Sequence, residues 1–172
     1  MLMAAAKLCV GAEMELGARL PTLKGEFLKG GKAVLPEAAA GKIALLALGF
    51  TYDSRFAVEA WVKRFRAVYG ENPRVTFYEI PMIGGMAQLG KWFIDSGMRR
   101  GTPKADQAQV ITVYRGVGAW KEQVGYKDPD AAYLMLLDRT GIVRWRQCGK
   151  PDDASFQMLS GVVNNLLAKS QE

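Results

Sequence analysis

The run from Ile43 to Phe50, I-A-L-L-A-L-G-F, carries neither a charge nor a polar side chain. It has the length of one strand, and a strand apolar at every position must be covered on both faces, as the central strand of an α/β sheet is. The next segment supplies cover. From Arg55 to Tyr69 the residues Val58, Trp61, Val62, Phe65 and Tyr69 recur at helical spacing, with Glu59 and Lys63 paired at i, i+4 on the polar side. Thr51, Asp53 and Ser54 are candidate caps for that helix, and Glu71-Asn72-Pro73 ends it. Arg74 to Ile80, R-V-T-F-Y-E-I, then reads as a second strand closed by Pro81, which makes the unit a right-handed parallel crossover.

Other elements arrange themselves around this unit. Leu20-Pro21-Thr22-Leu23 and Gly30 to Pro36 read as two extended pieces joined by a glycine turn, with Pro21 and Pro36 marking edges. Ile83, Met86, Leu89, Trp92 and Phe93 predict a second helix ending near Gly97 to Gly101, and Val110 to Tyr114 a third strand. A short helix is expected around Trp120. Tyr133 to Leu137, the turn Asp138-Arg139-Thr140-Gly141 and Ile142 to Trp145 read as a hairpin. Phe156, Leu159, Val162, Val163, Leu166 and Leu167 supply a final amphipathic helix, started by Pro151, Asp152 and Asp153.

A chain of 172 residues with 49% hydrophobic content can bury one core without staples. A single domain over residues 18–170 is expected, with residues 1–17 as an N-terminal extension or signal remnant. The opening M-L-M-A-A-A-K-L-C-V-G-A is apolar except for Lys7, and a frayed or helical end is preferred to a secretory signal because the basic start is missing. No segment approaches the roughly 18–20 apolar residues of a membrane span. Lys and Arg outnumber Asp and Glu by 23 to 17, a net +6, but the excess is dispersed. A solvated surface explains it better than a nucleic-acid site, which would need regular aromatic interleaving.

Histidine is absent. Its absence removes the commonest general base, the commonest metal ligand and every Ser-His or Cys-His nucleophile. The two cysteines, Cys9 and Cys148, are far apart, form no C-x-x-C pair and offer no thiolate cluster for a metal. They could be bridged, but two separate thiols are the preferred reading, and no metal or other cofactor is expected.

The order of elements, with Leu20-Pro21-Thr22-Leu23, Gly41-Lys42 and Leu136-Leu137-Asp138-Arg139-Thr140-Gly141, resembles the thioredoxin-like superfamily in its peroxiredoxin (AhpC/TSA-like) and thiol-oxidoreductase version. The resemblance covers roughly Leu20 to Leu167. It implies an α/β fold: a thioredoxin-like three-layer sandwich with a mixed central sheet, a C-terminal β-hairpin, flanking helices and an N-terminal extended hairpin. L-G-F-T-Y-D-S-R-F-A-V-E-A-W (Leu48 to Trp61), Y-E-I-P-M-I-G (Tyr78 to Gly84) and Gly141-Ile142-Val143-Arg144-Trp145 are similar to the family of the mitochondrial assembly factor for the membrane sector of ATP synthase and its bacterial relatives. That closer resemblance implies a chaperone-like assembly role without redox turnover. A mitochondrial-type relative would be organellar and a signal remnant would mean periplasm or secretion; compartment and oligomeric state stay open.

Thiol oxidoreductases of this superfamily place the attacking cysteine at a helix N-terminus, where orphan N–H groups and the helix dipole lower its pKa from about 8.5 to about 3.5–7.5. Here that loop holds Thr51, Tyr52, Asp53, Ser54 and Arg55, and the facing cis-proline of the family is replaced by Ala131-Ala132-Tyr133, with Pro129 too early. Ser54 lacks a Ser-x-x-Lys partner, so it and Asp53 are read as caps and not as catalysts. Cys148, in R-W-R-Q-C-G-K, could be a reactive thiol among Arg144, Arg146 and Lys150, but a small residue ending a strand is the simpler account. Arg99, Arg100 and Lys104 surround a glycine and a proline and could hold an anion; cations complementing a solvated helix C-terminus are the preferred account. Lys63, Arg64 and Arg66, and Arg139, Arg144 and Arg146 beside Tyr133 and Trp145, are read as exposed faces.

These readings converge on a non-enzymatic domain that binds a protein or peptide, such as a subunit of a membrane complex. The expected surface is Thr51 to Arg55 with the Tyr78 to Gly84 loop, including Pro81, both at strand C-terminal ends. Two rivals remain: a thiol peroxidase or disulfide oxidoreductase with unconventional cysteine usage, and a binder of small anionic ligands or lipid surfaces.

Overall fold

A computed structural model describes residues 14–169. In chain order it contains β1 (Leu23–Phe27), β2 (Lys32–Leu35), β3 (Ile43–Gly49), α1 (Arg55–Tyr69), β4 (Val75–Pro81), α2 (Lys91–Gly101), β5 (Ile111–Thr112), α3 (Val117–Val124), β6 (Tyr133–Leu137), β7 (Val143–Cys148) and α4 (Asp153–Ala168). The main sheet has the order β4-β3-β6-β7, with β3 parallel to β4 and antiparallel to β6. A smaller antiparallel sheet, β2-β1-β5, is joined to it by single parallel bridges from Glu79 to Val110 and from Met82 to Val113.

The apolar run behaves as its composition requires. Alternate residues of β3 enter two cores: Ala44, Leu46 and Leu48 pack with β1, β2 and α3 residues such as Leu23, Leu35 and Trp120, while Ile43, Leu45 and Ala47 pack with Trp61 and Phe65 of α1 and Leu159 of α4. All of these β3 side chains are fully buried. Each large one contributes about 1.5–3 kcal/mol by leaving water, so the strand holds both outer layers to the sheet. The result is the three-layer α/β sandwich expected, with α1 and α4 on one side.

The helix starts and turns have identifiable causes. Asp152 accepts from the Ser155 N–H at 2.7 Å while the Ser155 hydroxyl takes the Asp152 N–H at 3.1 Å, a reciprocal cap that begins α4. In the β6–β7 turn, Asp138 collects hydrogen bonds from the Thr140 N–H and hydroxyl, the Ile142 N–H and Arg144 Nε. Burial alone would raise the Asp138 carboxyl, but these donors hold it below the ordinary carboxylate value.

Three expectations change. The first extended piece lies further along than Leu20–Leu23 and includes Gly25, where a Cβ would sit 2.6 Å from Ile111 Cγ2 and 2.7 Å from the Thr112 carbonyl oxygen. The strand therefore gains its place by close backbone approach, which no apolar alternation reports. The third strand contracts from Val110–Tyr114 to two residues and pairs with β1. The second helix begins as a 3-10 turn at Gly85–Gly90, and α2 buries Asp95 while leaving Leu89, Trp92 and Phe93 in solvent. Its apolar spacing does not mark a core face.

The expectation for residues 1–17 falls mostly outside the described residues. Met14 is already part of the core, and its N–H donates to the Gln123 carbonyl at 3.0 Å.

Candidate functional site

The parallel pairing of β3 and β4 sets Gly49 opposite Pro81, so the loop Thr51–Arg55 and the Pro81 loop emerge side by side at the C-terminal ends of the two strands. Gly49 has no side chain because a Cβ there would lie 2.7 Å from Ser54 Oγ and 3.2 Å from Val58 Cγ2. Ser54 is fully buried beneath the loop. Its hydroxyl donates to the Thr51 carbonyl at 2.8 Å and accepts the Thr51 N–H at 3.2 Å, and Thr51 Oγ1 accepts the Ser54 N–H at 3.1 Å. Thr51 Oγ1 in turn donates to the Pro129 carbonyl at 2.7 Å. This knot consumes the polar groups of Ser54 and Thr51 in the loop itself.

The residues read as caps thus divide. Ser54 occupies the N-cap position of α1, where its carbonyl takes the Ala57 and Val58 N–H groups but its side chain caps none, while the Thr51 side chain takes the Ser54 N–H. Pro129, set aside in the sequence as too early, is in fact brought to the loop, and its peptide bond is trans. Phe50, Tyr126 and Tyr133 pack as an aromatic cluster below, with ring centroids 5.1, 5.6 and 5.7 Å apart.

Above the knot the surface is of a different kind. Tyr52 is 72% exposed and Phe56 55% exposed. The Arg55 guanidinium lies 4.0 Å from the Tyr52 ring centroid and 4.6 Å from that of Phe56. A guanidinium stacked between two rings is held in position while its outward N–H groups remain available, an arrangement suited to carboxylate or backbone carbonyl groups. Asp53 lies exposed beside it. Phe56 was missed in the sequence because it sits off the buried stripe of α1; its position next to Arg55 is the signal that could have found it.

The other candidates lie elsewhere. Arg99 is a strut: its Nε donates to the Leu28 carbonyl at 2.7 Å. Arg100 and Lys104 are exposed, in the last turn of α2 and in the loop just after it. Tyr133 and Trp145, read as part of an exposed basic face, are buried, because β6 and β7 turn them into the two cores. Arg64 pairs with Asp153 at 3.0 Å and Arg66 with Asp106 at 2.9 Å. Cys148, expected as a separate thiol in preference to a bridged one, is disulfide-bonded at the end of β7, and the other cysteine of the sequence, Cys9, lies outside the described residues. A sulfur held in a disulfide is not a thiolate nucleophile until it is reduced.

Two open clefts, of about 450 and about 250 Å³, lie at the opposite end of the sheet, around Ile43, Asp138, Arg139 and Arg144 and around Lys42, Asn72 and Val75. Neither includes the Thr51–Arg55 loop. No group of three or more metal-ligating side chains occurs among the described residues.

Solved structures place this geometry in a known frame. A candidate thiol:disulfide interchange protein DsbE from Chlorobium tepidum superposes with a TM-score of 0.59 at 17% identity, over 90% of this chain and 99% of that one. The thiol peroxidase from Chromobacterium violaceum gives a TM-score of 0.58 at 14% identity, over 95% and 91%. A thiol-disulfide oxidoreductase from Bacteroides fragilis gives 0.59 at 15% identity, over 84% and 99%. At these identities the likeness concerns the fold, which is thioredoxin-like. No curated protein matches the sequence. The family model described as ATP10 protein matches residues 16–166, and the chain therefore belongs to the ATP10 protein family.

Proposed function

We propose that the protein is a redox-inactive thioredoxin-like domain that binds a protein or peptide segment during assembly of a membrane complex, the ATP synthase membrane sector being the family's precedent. The observation that carries this reading is the exposed Tyr52–Arg55–Phe56 cluster standing over a knot in which Ser54 and Thr51 are already bonded to each other and to Pro129. A loop that needed a reacting group would leave one presented; this one presents aromatic faces and a positioned cation. Such surfaces supply binding energy through Tyr and Arg anchors. The polar groups beneath fix the loop so that little ordering entropy is lost on binding.

The test is co-purification from detergent-solubilised native membranes with wild type, Arg55→Glu and Tyr52→Ala/Phe56→Ala. The expected result is enrichment of membrane-complex subunits that falls by about tenfold or more in both variants, as loss of an anchor residue implies. Equal enrichment with all three proteins would overturn the assignment of the loop. A thiol peroxidase or insulin-reduction activity above blank, lost in Cys148→Ser, would overturn the non-enzymatic reading.

A further inference from the structure

Helix α2 is built inside out. Its buried residue is Asp95, 4% exposed, whereas Trp92 and Phe93 are 71% and 73% exposed and Leu89, just before it, is 83% exposed. The inward face is secured by polar contacts. Asp95 accepts from Tyr114 Oη at 2.6 Å and from Lys91 Nζ at 2.8 Å, Lys91 also reaches Glu26 at 2.9 Å, and Arg99 bonds the Leu28 carbonyl. Burying a carboxylate is tolerated only when charge and hydrogen bonds compensate it, and both are present here. The helix is thereby held with its aromatic side outward. Trp92 and Phe93 meet edge to face at 5.0 Å, so they form one apolar ridge and not two separate exposures.

The charges around the ridge identify what it fits. Arg100 follows Phe93 by seven residues and Trp92 by eight, which places it on the same helix face. Between Gly85 and Lys104 the sole acidic residue is Asp95, which is buried and paired, while Arg100 and Lys104 are exposed. A helix with Trp, Phe and Leu beside outward cations and no outward carboxylate has the chemistry of a helix lying in the headgroup region of an anionic bilayer. No helix among the described residues is long and apolar enough to cross one.

We infer that α2, with Leu89 before it, docks flat on an anionic lipid surface, its Leu89, Trp92 and Phe93 side chains entering the headgroup–acyl boundary and Arg100 and Lys104 meeting the lipid phosphates. This places the Tyr52–Phe56 loop on a protein already held at the membrane, yet it does not depend on that loop.

Tryptophan emission tests the inference directly. Of the four tryptophans, Trp61, Trp120 and Trp145 are buried and Trp92 alone is exposed, so a change in polarity at the ridge is read from one residue. Full-length protein would be mixed with phosphatidylcholine vesicles with and without about one third phosphatidylglycerol, followed by emission and by flotation. The expected result is a blue shift and flotation with the anionic vesicles only, both weakened by salt. The shift should vanish in Trp92→Phe, and flotation should fall about tenfold or more in Trp92→Ser/Phe93→Ser and in Arg100→Glu/Lys104→Glu. Arg55→Glu should float like wild type. Flotation indifferent to phosphatidylglycerol, or unchanged in the Trp92→Ser/Phe93→Ser variant, would overturn the inference. So would sedimentation showing that the ridge joins two copies of the chain in the presence of vesicles.

Discussion

Glu79 offers a sharp test of the packing between α1 and β4. Its carboxyl lies half-buried on the α1 side of β4, where burial, then Glu59, then Asp106 push it up from 4.5 to about 7, opposed by Arg66 of α1. Between those two values the native state holds a proton that the unfolded chain has released, so stability should fall as pH rises through this window and level off above it. At face value the displacement is worth about 3 kcal/mol. Solvent reaches the group and screens it, so about 1–2 kcal/mol is the reasonable expectation. Glu79→Gln keeps the shape of the protonated side chain and removes the cost of ionising it. At pH 8 the variant should melt about 2–8 °C above wild type, and at pH 4 the two should coincide. Thermal unfolding by circular dichroism at pH steps between 4 and 9 would measure this. A difference independent of pH, or one that grows toward acid, would refute the assigned burial and its sign.

Three further outcomes follow from the site and its supports. Gly49→Ala should destabilise by about 1–3 kcal/mol in chemical denaturation, because the new methyl meets Ser54 Oγ at 2.7 Å and the loop must move. Tyr114→Phe removes the 2.6 Å hydrogen bond to buried Asp95 and should cost about 1.5–3 kcal/mol, with faster amide exchange in α2. Ser54→Ala leaves the Thr51 N–H and carbonyl without their side-chain partner and should cost about 1–2 kcal/mol while raising proteolysis within the loop.

The elements that could be read from the chain were those whose side chains report their own burial. Ile43–Phe50, the stripe of α1 and the final helix declare their surroundings through period and composition, and each stands where expected. Elements placed by what they meet were less legible. Gly25 marks a strand because β5 presses against its Cα, and α2 turns its ridge outward because Asp95 finds Tyr114, a partner 19 residues away and outside the helix, in addition to Lys91 one turn earlier. Helical spacing of Leu89, Trp92 and Phe93 carries no information on which face is wet. The loop after Phe50 could be singled out as a candidate site, but the Thr51–Pro129 contact spans 78 residues and Phe56 lies outside the apolar stripe. Cys148 shows the same limit, since its disulfide depends on proximity that spacing cannot reveal.

The closure of the N-terminal segment onto β7 has a consequence for how the molecule is made. Gly17 donates to Val143, Leu20 donates to Gly141, and Arg19 reaches the Thr140 carbonyl across 121 residues. Gly141, at φ +82, comes so close to Pro36 that a Cβ would lie 2.6 Å from its ring. During synthesis residues 17–20 therefore wait for the last described strand before their partners exist. Until β7 emerges, the β1–β2 hairpin has no turn to rest against and β6 lacks a partner on its outer side. A bulkier residue at position 141 would lengthen that exposed interval as well as strain the finished fold, so its main effect in a cell would be read in yield and aggregation before it was read in melting temperature.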